Sequence, residues 1–307
     1  MRGAKALVKV QGLILKHCAG RHAMGRGVVA MEEAETMAQS SGGADASGSS
    51  SSSTSTSSSS SGDGVEGEEE RETEKEIGGR GKKGQNMCVK VQHGRMQMQD
   101  CCVTSQRGSG VLVRGSGQIC MVNTSVSHCG HHGVTAINGG LVEAQGCEVL
   151  FNTLSGINAI GKGSCVRSVS CRVHGNEDGG FNVVQGALAL TSNSSVTHNR
   201  GTGVRSMGRC SWAVKNFCMI SGNGWHGASV VEGGQAIVDN CTVSYNGGAG
   251  VNAFAEGSAT LSRCTIVSNR YGVWAQNHGI VRAQMTKVGR NEGGDEVALA
   301  GGIHIGS

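Results

Sequence analysis

The sequence has no proline and few aromatic residues among its 307 positions. Average usage of about 5% would give about 15 prolines in a chain of this length. Proline inside a central β-strand removes a hydrogen bond of the ladder. A fold in which nearly every strand is central would therefore exclude it. The absence of proline also excludes collagen, although 52 residues are glycine.

Long apolar runs are also missing, since no stretch approaches the roughly 18 residues of a transmembrane helix. We therefore expect no membrane partner. The basic N-terminus is interrupted by Lys9 and Gln11, which is unlike the apolar core of a signal peptide. It contains no acid before Glu32, so an organelle transit peptide remains the alternative to a cytoplasmic location.

Acidic residues are concentrated in one segment. Residues 31–76 contain twelve acids and two bases, a net charge of −10, so the rest of the chain carries +14 and the whole chain +4. The bases outside this segment are scattered, which predicts a solvated surface and no nucleic-acid partner. Residues 31–86 combine a Ser-rich tract with the acidic run and are predicted to be a disordered insertion. Residues 1–30 are predicted to form a displaced N-terminal coil.

A repeat of 22 to 24 residues extends through residues 87–307. Each copy contains a glycine, a short apolar run, a second glycine, another apolar run, a Cys-x-Val motif and an asparagine. The copies open at Met87, Gly110, Gly133, Gly156, Gly180, Gly203, Gly227, Gly250 and Gly272. A fixed period of this length indicates a solenoid. The segment Gly301–Gly306 is predicted to open a tenth copy late.

Three columns of residues recur in register. Five residues before the asparagine stands a small residue, in most copies Cys, and three before it stands Val or Ile. This alternation predicts a strand with one buried face, so most of the 13 cysteines are explained as small interior residues. Their odd number also argues against a disulfide framework and favours a reducing compartment. The asparagines run from Asn152 to Asn291. They are predicted to adopt the left-handed turn conformation and to form a hydrogen-bonded ladder.

Two solenoid classes have this period. Leucine-rich repeats require leucines at fixed offsets and a convex helix, whereas leucine is scarce here and no segment has a helical apolar pattern. A parallel β-helix requires small and β-branched residues stacked inside, and these are present. The sequence therefore predicts an all-β parallel β-helix of about nine to ten coils, stacked about 4.8 Å apart.

The glycine-apolar-x-small openings, the mid-coil glycines such as Gly140 and Gly257, and the Cys-x-[Val/Ile]-x-x-Asn closings resemble the right-handed parallel β-helix repeat family. This family includes pectin-lyase-like proteins and carbohydrate-binding and sugar-hydrolase repeats. The resemblance covers about residues 87–291. It implies a right-handed coil and a functional surface on the outer face of one sheet, and it leaves the activity open.

The second residue after each opening glycine is predicted to point outward into that surface, and the preceding turns add aromatic and charged residues. Amides, an arginine and aromatic rings suit hydrogen bonding to sugars and stacking on them. The predicted binding residues are Asn158, Asn182, Arg205, Trp225, His226, Asn252 and Trp274. The alternative interpretation is an ordinary polar strand face.

No catalytic constellation stands out in the sequence. The candidates are Arg205 as a lyase-type base near Asp178, and Glu232 with Glu256 as a carboxylate pair of the kind that glycoside hydrolysis needs. The proline-free chain also cannot contain the Asp-Pro-His-Asp motif of uronan epimerases. His128, His131 and His132 form the best metal-like cluster, but we expect no metal and no cofactor.

The leading functional prediction is a non-catalytic scaffold that binds a glycan or a protein partner on its outer sheet face. One alternative is a carbohydrate-active enzyme, either a polysaccharide lyase or a glycoside hydrolase. A second alternative is a purely structural solenoid. Open strand edges at the ends of the stack additionally allow end-to-end self-association.

Overall fold

The computed structural model describes residues 7–11, 14–17, 87–209, 211–299 and 301–306. These residues form an all-β solenoid of about nine complete coils, each with three short strands. Strands at equivalent positions pair in parallel and in register with those of the next coil, giving three sheets. The predicted β-helix is thus confirmed. None of the described residues belongs to a helix that could cross a membrane.

The opening sheet contains the strand after each opening glycine. The glycine is required because a Cβ at Gly133 would lie 2.5 Å from the Val149 side chain and 2.7 Å from that of Asn152. The ten strands of this sheet are Val89–Val91, Val111–Arg114, Val134–Ile137, Ile157–Ile160, Phe181–Val184, Val204–Met207, Ala228–Val231, Ala249–Phe254, Tyr271–Gln276 and Glu296–Leu299.

The middle sheet follows the mid-coil glycine. A Cβ at Gly140 would lie 2.2 Å from the Val113 carbonyl oxygen of the preceding coil, so a side chain there is excluded. Its eleven strands are Leu7–Gln11, Arg95–Gln99, Gln118–Val122, Leu141–Gln145, Cys165–Val169, Leu188–Ser192, Trp212–Asn216, Gln235–Asp239, Ser258–Ser262, Ile280–Gln284 and Gly302–Gly306.

The closing sheet contains the Cys-x-Val motif and has the shortest strands. Its ten strands are Ile14–His17, Cys102–Ser105, Ser125–Ser127, Glu148–Leu150, Arg172–His174, Ser195–Thr197, Met219–Ser221, Thr242–Ser244, Thr265–Val267 and Lys287–Gly289. The valine and isoleucine of the motif are buried, with relative exposures at or near zero from Val103 to Ile266. The cysteines, two residues earlier in each coil, form a neighbouring interior column.

Two strands from the beginning of the chain join the stack. Leu7–Gln11 pairs with Arg95–Gln99, and Ile14–His17 pairs with Cys102–Ser105, both in parallel. The predicted disordered insertion at 31–86 lies outside the described residues, so the domain boundaries stay predictions. At the other end, the tenth opening strand is Glu296–Leu299. The prediction that Gly301–Gly306 opens a coil was therefore wrong, because Gly302–Gly306 pairs in the middle sheet with Ile280–Gln284.

The asparagine ladder is present as predicted, and it occupies the interior. From Asn152 to Asn269 each amide nitrogen donates to the amide oxygen of the asparagine in the next coil, over 2.8 to 3.2 Å. The predicted left-handed conformation at these asparagines was wrong. It falls one residue earlier, for example at Phe151 and His198. The sharp turn precedes the asparagine, and this turns the amide inward onto the stack.

Candidate functional site

The column predicted to face outward on the opening sheet lies largely below the molecular surface. Asn158, Ser229 and Asn252 are only 2%, 5% and 6% exposed, although they alternate with core residues such as Ala159. The expectation of an open polar face was therefore incorrect. Side chains from several of the turns before the opening glycines lie against this column, among them His132, His226 and Tyr271. We call the column together with these turn side chains the opening face.

At the N-terminal end of the opening face, polar groups form a chain across three coils. The Asn182 amide donates to the Asn158 oxygen over 3.2 Å, and Asn158 Nδ2 lies 3.0 Å from His132 Nε2. Because the amide nitrogen is a donor, His132 Nε2 accepts and its proton lies on Nδ1. The register that places Asn158 beside Asn182 is set by strand pairing.

His132 is held as a neutral imidazole. Burial lowers its pKa to about 4, and this outweighs the opposite influence of the nearby Asp178 carboxylate. Asp178 is itself exposed on the turn before Gly180, and it accepts a short hydrogen bond from the Ser155 hydroxyl. The structure thus brings Asp178 close to a histidine that was considered only as a metal ligand.

Arg205 continues the column beside Asn182 and is partly buried. Its guanidinium nitrogen Nη2 lies 3.5 Å from Met207 Sδ in the same strand. It provides positive charge in the middle of the opening face, between the amide chain and the aromatic residues described next. This position suits an anionic group on a ligand.

Four rings meet at the C-terminal end of the opening face. The ring centroids of Trp225 and His226 are 6.3 Å apart. Those of His226 and Trp274 are 6.4 Å apart, and those of Tyr271 and Trp274 are 4.8 Å apart. We call this group the aromatic cluster. Trp225 is its most exposed member, at 58%. The predicted binding residues Trp225, His226 and Trp274 are therefore brought together, and Tyr271 joins them.

The aromatic cluster depends on a glycine in the intervening coil. A Cβ at Gly248 would lie 2.8 Å from His226 Nδ1, so only glycine leaves room for this ring. The Ala249 backbone N–H donates to the same nitrogen over 2.9 Å. Burial lowers the pKa of His226 to about 4, so the ring is neutral and accepts this hydrogen bond.

Buried polar atoms without partners are concentrated on the opening face. Six such side-chain atoms occur among the described residues, and five of them lie here. They are His132 Nδ1, Thr135 Oγ1, Asn182 Oδ1, Asn252 Oδ1 and Trp274 Nε1. An unpaired buried polar group costs about 1–3 kcal/mol. Trp274 and Asn252 are paired in register, so an unused donor and an unused acceptor belong to neighbouring strands.

The remaining catalytic candidates lie elsewhere. Glu232 and Glu256 occupy exposed turns after the opening strands, at the opposite end of these strands from His132 and Trp225. Arg209 Nη2 donates to Glu256 over 3.1 Å, so this carboxylate already has a cationic partner. The structure thus places neither glutamate beside Asp178 or Arg205.

The three histidines proposed as metal ligands are not assembled into a site. His128 packs on Phe151 with ring centroids 5.6 Å apart, whereas His132 contacts Asn158. In the described part of the chain, no three His, Cys, Asp or Glu side chains converge as metal ligands. His128 instead begins a column of rings in tilted and edge-on contact that continues through Phe151 and His174 to His198.

A cavity of about 490 Å³ lies at the last coil, away from the opening face. It is lined by residues of the last two middle strands, among them Arg282, Gln284 and His304. It lies where the stack ends and the final strand has no successor within the described residues. This location accounts for it without a ligand.

Lys215 is the principal polar residue that the sequence analysis missed. It points into the interior at 1% exposure, donates to Thr191 Oγ1 over 2.7 Å, and its amine lies 3.3 Å from the centroid of the Phe181 ring. Burial lowers its pKa from 10.5 to about 7. Its place in the repeat, three residues before Cys218, would have identified it as an inward position.

The family model described as the right handed beta helix region matches residues 80–217 and 162–306. Together these matches cover most of the chain. No curated protein is significantly similar to it.

Several solved structures are similar to this chain. The periplasmic alginate epimerase AlgG is 12% identical with a TM-score of 0.48, over 69% of this chain and 60% of that one. The A-module of the Azotobacter vinelandii mannuronan C-5 epimerase AlgE6 is 13% identical with a TM-score of 0.46. The match covers 71% of this chain and 76% of that one. The pectate lyase Pel9A is 13% identical with a TM-score of 0.27. The match covers 74% of this chain and 66% of that one.

Proposed function

We propose that this chain, which belongs to the right-handed β-helix region family, binds a polysaccharide along its opening face. One observation carries the proposal: five of the six unpaired buried polar atoms of the described residues lie on this single face. Proteins normally pair such atoms, so a concentration of unpaired ones is typical of a surface whose partners come from a ligand. Sugar hydroxyl groups both donate and accept, which matches the mixture of atoms present.

The two ends of the opening face suit different parts of a glycan. A sugar hydroxyl could accept from Trp274 Nε1 and donate to Asn252 Oδ1, because these residues are register partners. The exposed Trp225 ring offers an apolar surface on which the face of a sugar ring can stack. Arg205 would bind a carboxylate, which favours a uronate-containing chain.

These atoms are buried, so binding requires small side-chain movements that admit the sugar. The cost of such a movement is offset when each unpaired atom gains a hydrogen bond. Trp225 and His226 lie on a turn and not on a strand, and turns are the more mobile elements. The turn side chains that cover the column are therefore the ones expected to move.

A second candidate function is catalysis on the same ligand. The Nδ1–H of the neutral His132 has no partner and could donate a hydrogen bond to the substrate, while the nearby Asp178 carboxylate could act as the general base. Asn158 fixes the orientation of the ring through Nε2. This arrangement favours proton abstraction over glycoside hydrolysis, because no second carboxylate is placed with Asp178.

The test is a glycan array with the full chain, followed by calorimetric titration of the best ligand. Trp225→Ala should weaken binding about tenfold through the loss of stacking. Phe217→Ala is the matched control, because Phe217 is exposed to a similar extent, 60%, on a different turn. Absence of any glycan ligand, or equal losses in both variants, would refute the proposal.

Catalysis is tested on the same glycans by ultraviolet absorbance for unsaturated uronides and by proton NMR for epimerised residues. Binding without either product supports the scaffold function. Product that disappears in His132→Gln, while glycan binding persists, would establish the enzyme instead.

A further inference from the structure

The outer face of the middle sheet contains a compact apolar patch. Strand register places Leu188 beside Trp212 and Leu190 beside Val214, and Val214 is in turn beside Ile237. All five alternate with core residues and are therefore on the outer side of the sheet. Trp212 and Ile237 are each 37% exposed. We call these five residues the apolar patch.

Charged residues border the apolar patch along the central outward column of the sheet. On the N-terminal side, the Glu143 carboxylate oxygens lie 3.9 Å from Arg95 Nη2 and 3.6 Å from Arg167 Nη1. On the C-terminal side, two coils beyond Ile237, stands Arg282, which is exposed. In order of coils, the column therefore contains the acid Glu143, the base Arg167, the three apolar residues Leu190, Val214 and Ile237, then Thr260 and the base Arg282.

This order is self-complementary about its centre. Glu143 lies three coils before Val214, and Arg282 lies three coils after it. A two-fold axis that lies between the two facing sheets, parallel to their strands and level with Val214, places Leu190 opposite Ile237 of a second copy. The same axis places Glu143 of each copy opposite Arg282 of the other. If the axis is shifted by one coil toward the N-terminal end, Glu143 lies opposite Ile237. If it is shifted by one coil toward the C-terminal end, Leu190 lies opposite Arg282. Either shift therefore sets a charged residue against an apolar one.

We propose that this face binds a second copy of the chain, with the two middle sheets packed face to face, the two coil stacks running in opposite directions, and the two-fold axis level with Val214. Such an interface is isologous, so every favourable contact occurs twice. Five-residue strands over the seven coils from Glu143 to Arg282 present about 550 Å² per copy, taking about 3.3 Å per residue and about 4.8 Å per coil. The total of about 1,100 Å² exceeds the roughly 1,000 Å² expected of a biological interface.

The first test is sedimentation velocity of the full chain under reducing conditions, from about 0.5 to 50 μM. The mass expected for two copies of 31.4 kDa is about 63 kDa. Val214→Lys should leave a monomer, because the axis places the two new charges opposite each other. Val267→Lys is the matched control, since Val267 is a partly buried outward residue of the closing sheet, and it should remain dimeric.

The second test fixes the register by a double-mutant cycle with Glu143→Gln and Arg282→Gln. Each substitution should weaken the dimer about tenfold, and the double variant should lose little more than either alone. Within one chain the two positions are six coils, or about 29 Å, apart. Coupling between them therefore has to act across the interface.

A full chain that stays monomeric at 50 μM would overturn the proposal, and another occupant would then cover the patch. A dimer that survives Val214→Lys, or that dissociates in Val267→Lys, would place the interface elsewhere. Additive losses in the cycle would refute the proposed axis. Circular dichroism of each variant shows that a monomer is folded and not merely denatured.

Discussion

The solenoid contains two columns of asparagine that repeat at nearly the same interval and differ in how they are bonded. In the ladder, Asn176 donates to Asn199 over 2.8 Å, and Asn199 donates to Asn223 over 2.9 Å, without interruption. On the opening face, Asn182 donates to Asn158, but its own oxygen has no partner. The ladder is thus saturated by the protein, and the opening face is not.

The difference arises from the residues that fill the intervening positions. The ladder has asparagine in every coil from Asn152 to Asn291, so each amide meets an identical amide. The column of the opening face changes from Asn182 to Arg205 and Ser229 before Asn252. Mixed side chains of unequal length cannot form one continuous chain of hydrogen bonds. A regular column therefore stabilises the fold, whereas an irregular one leaves hydrogen-bonding capacity for a ligand.

Asn199→Ala should produce the largest effect on stability. It removes the hydrogen bonds to Asn223 Oδ1 and the Val173 carbonyl, and it leaves the Asn176 amide without its acceptor. We expect a loss of about 3–5 kcal/mol in the free energy of unfolding, measured by urea titration. Asn182→Ala is the comparison on the opening face and should cost less than about 1 kcal/mol. Equal losses would show that the two columns do not differ as described.

Lys215→Met should come next and should raise stability. In the folded chain burial lowers the pKa of Lys215 to about 7, whereas the unfolded chain keeps the ordinary value of 10.5. Unfolding therefore takes up a proton between these pH values, and stability rises with pH by up to about 1.4 kcal/mol per unit. The variant should gain about 3 kcal/mol at pH 7 and lose this slope.

Urea titrations of both proteins from pH 7 to 10 would measure this effect. Thr191 keeps its hydrogen bond with Ser168 in the variant, so no new unpaired group arises there. A wild-type slope that survives in Lys215→Met would show that Lys215 is not the group responsible. The Lys215 side chain lies inside the coil, so the Lys215→Met variant should keep its glycan affinity.

Gly248→Ala should have a smaller effect on stability and a clear one on binding. The added methyl group would meet the His226 ring at 2.8 Å and displace it from Trp274. We expect a loss of about 1–2 kcal/mol in stability and a several-fold loss of glycan affinity, measured by calorimetry. Gly186→Ala provides a glycine control outside the opening face. If Gly248→Ala binds normally, the aromatic cluster is not part of the binding surface.

The sequence was sufficient for the fold because its period is encoded at many positions at once. Opening glycines, Cys-x-Val motifs and asparagines each predict the same coil, and the structure confirms the interior columns from Val103 to Ile266. The ladder could be predicted for the same reason. The backbone turn was misplaced by one residue because asparagine was credited with a conformation that Phe151 and His198 adopt.

The candidate site was less accessible to sequence reasoning. The alternation of side chains along a strand correctly assigns Asn158 and Ala159 to opposite faces of the sheet. It gives no information about the turn side chains that cover Asn158. The contact between His226 and Trp274 spans two coils and depends on Gly248 between them. Lys215 escaped notice because an interior lysine violates the usual burial preference, and only register reveals it. Such features depend on neighbours about 23 or 46 residues away.

The central claim is that unpaired atoms on the opening face bind a glycan and do not stabilise the fold. Trp274→Phe tests it most directly, because it keeps the ring and removes the Nε1 donor that has no partner. Affinity and the free energy of unfolding would be measured on the same samples. The account predicts about fivefold weaker binding with stability unchanged or slightly raised. Unchanged affinity together with a loss of stability would contradict it.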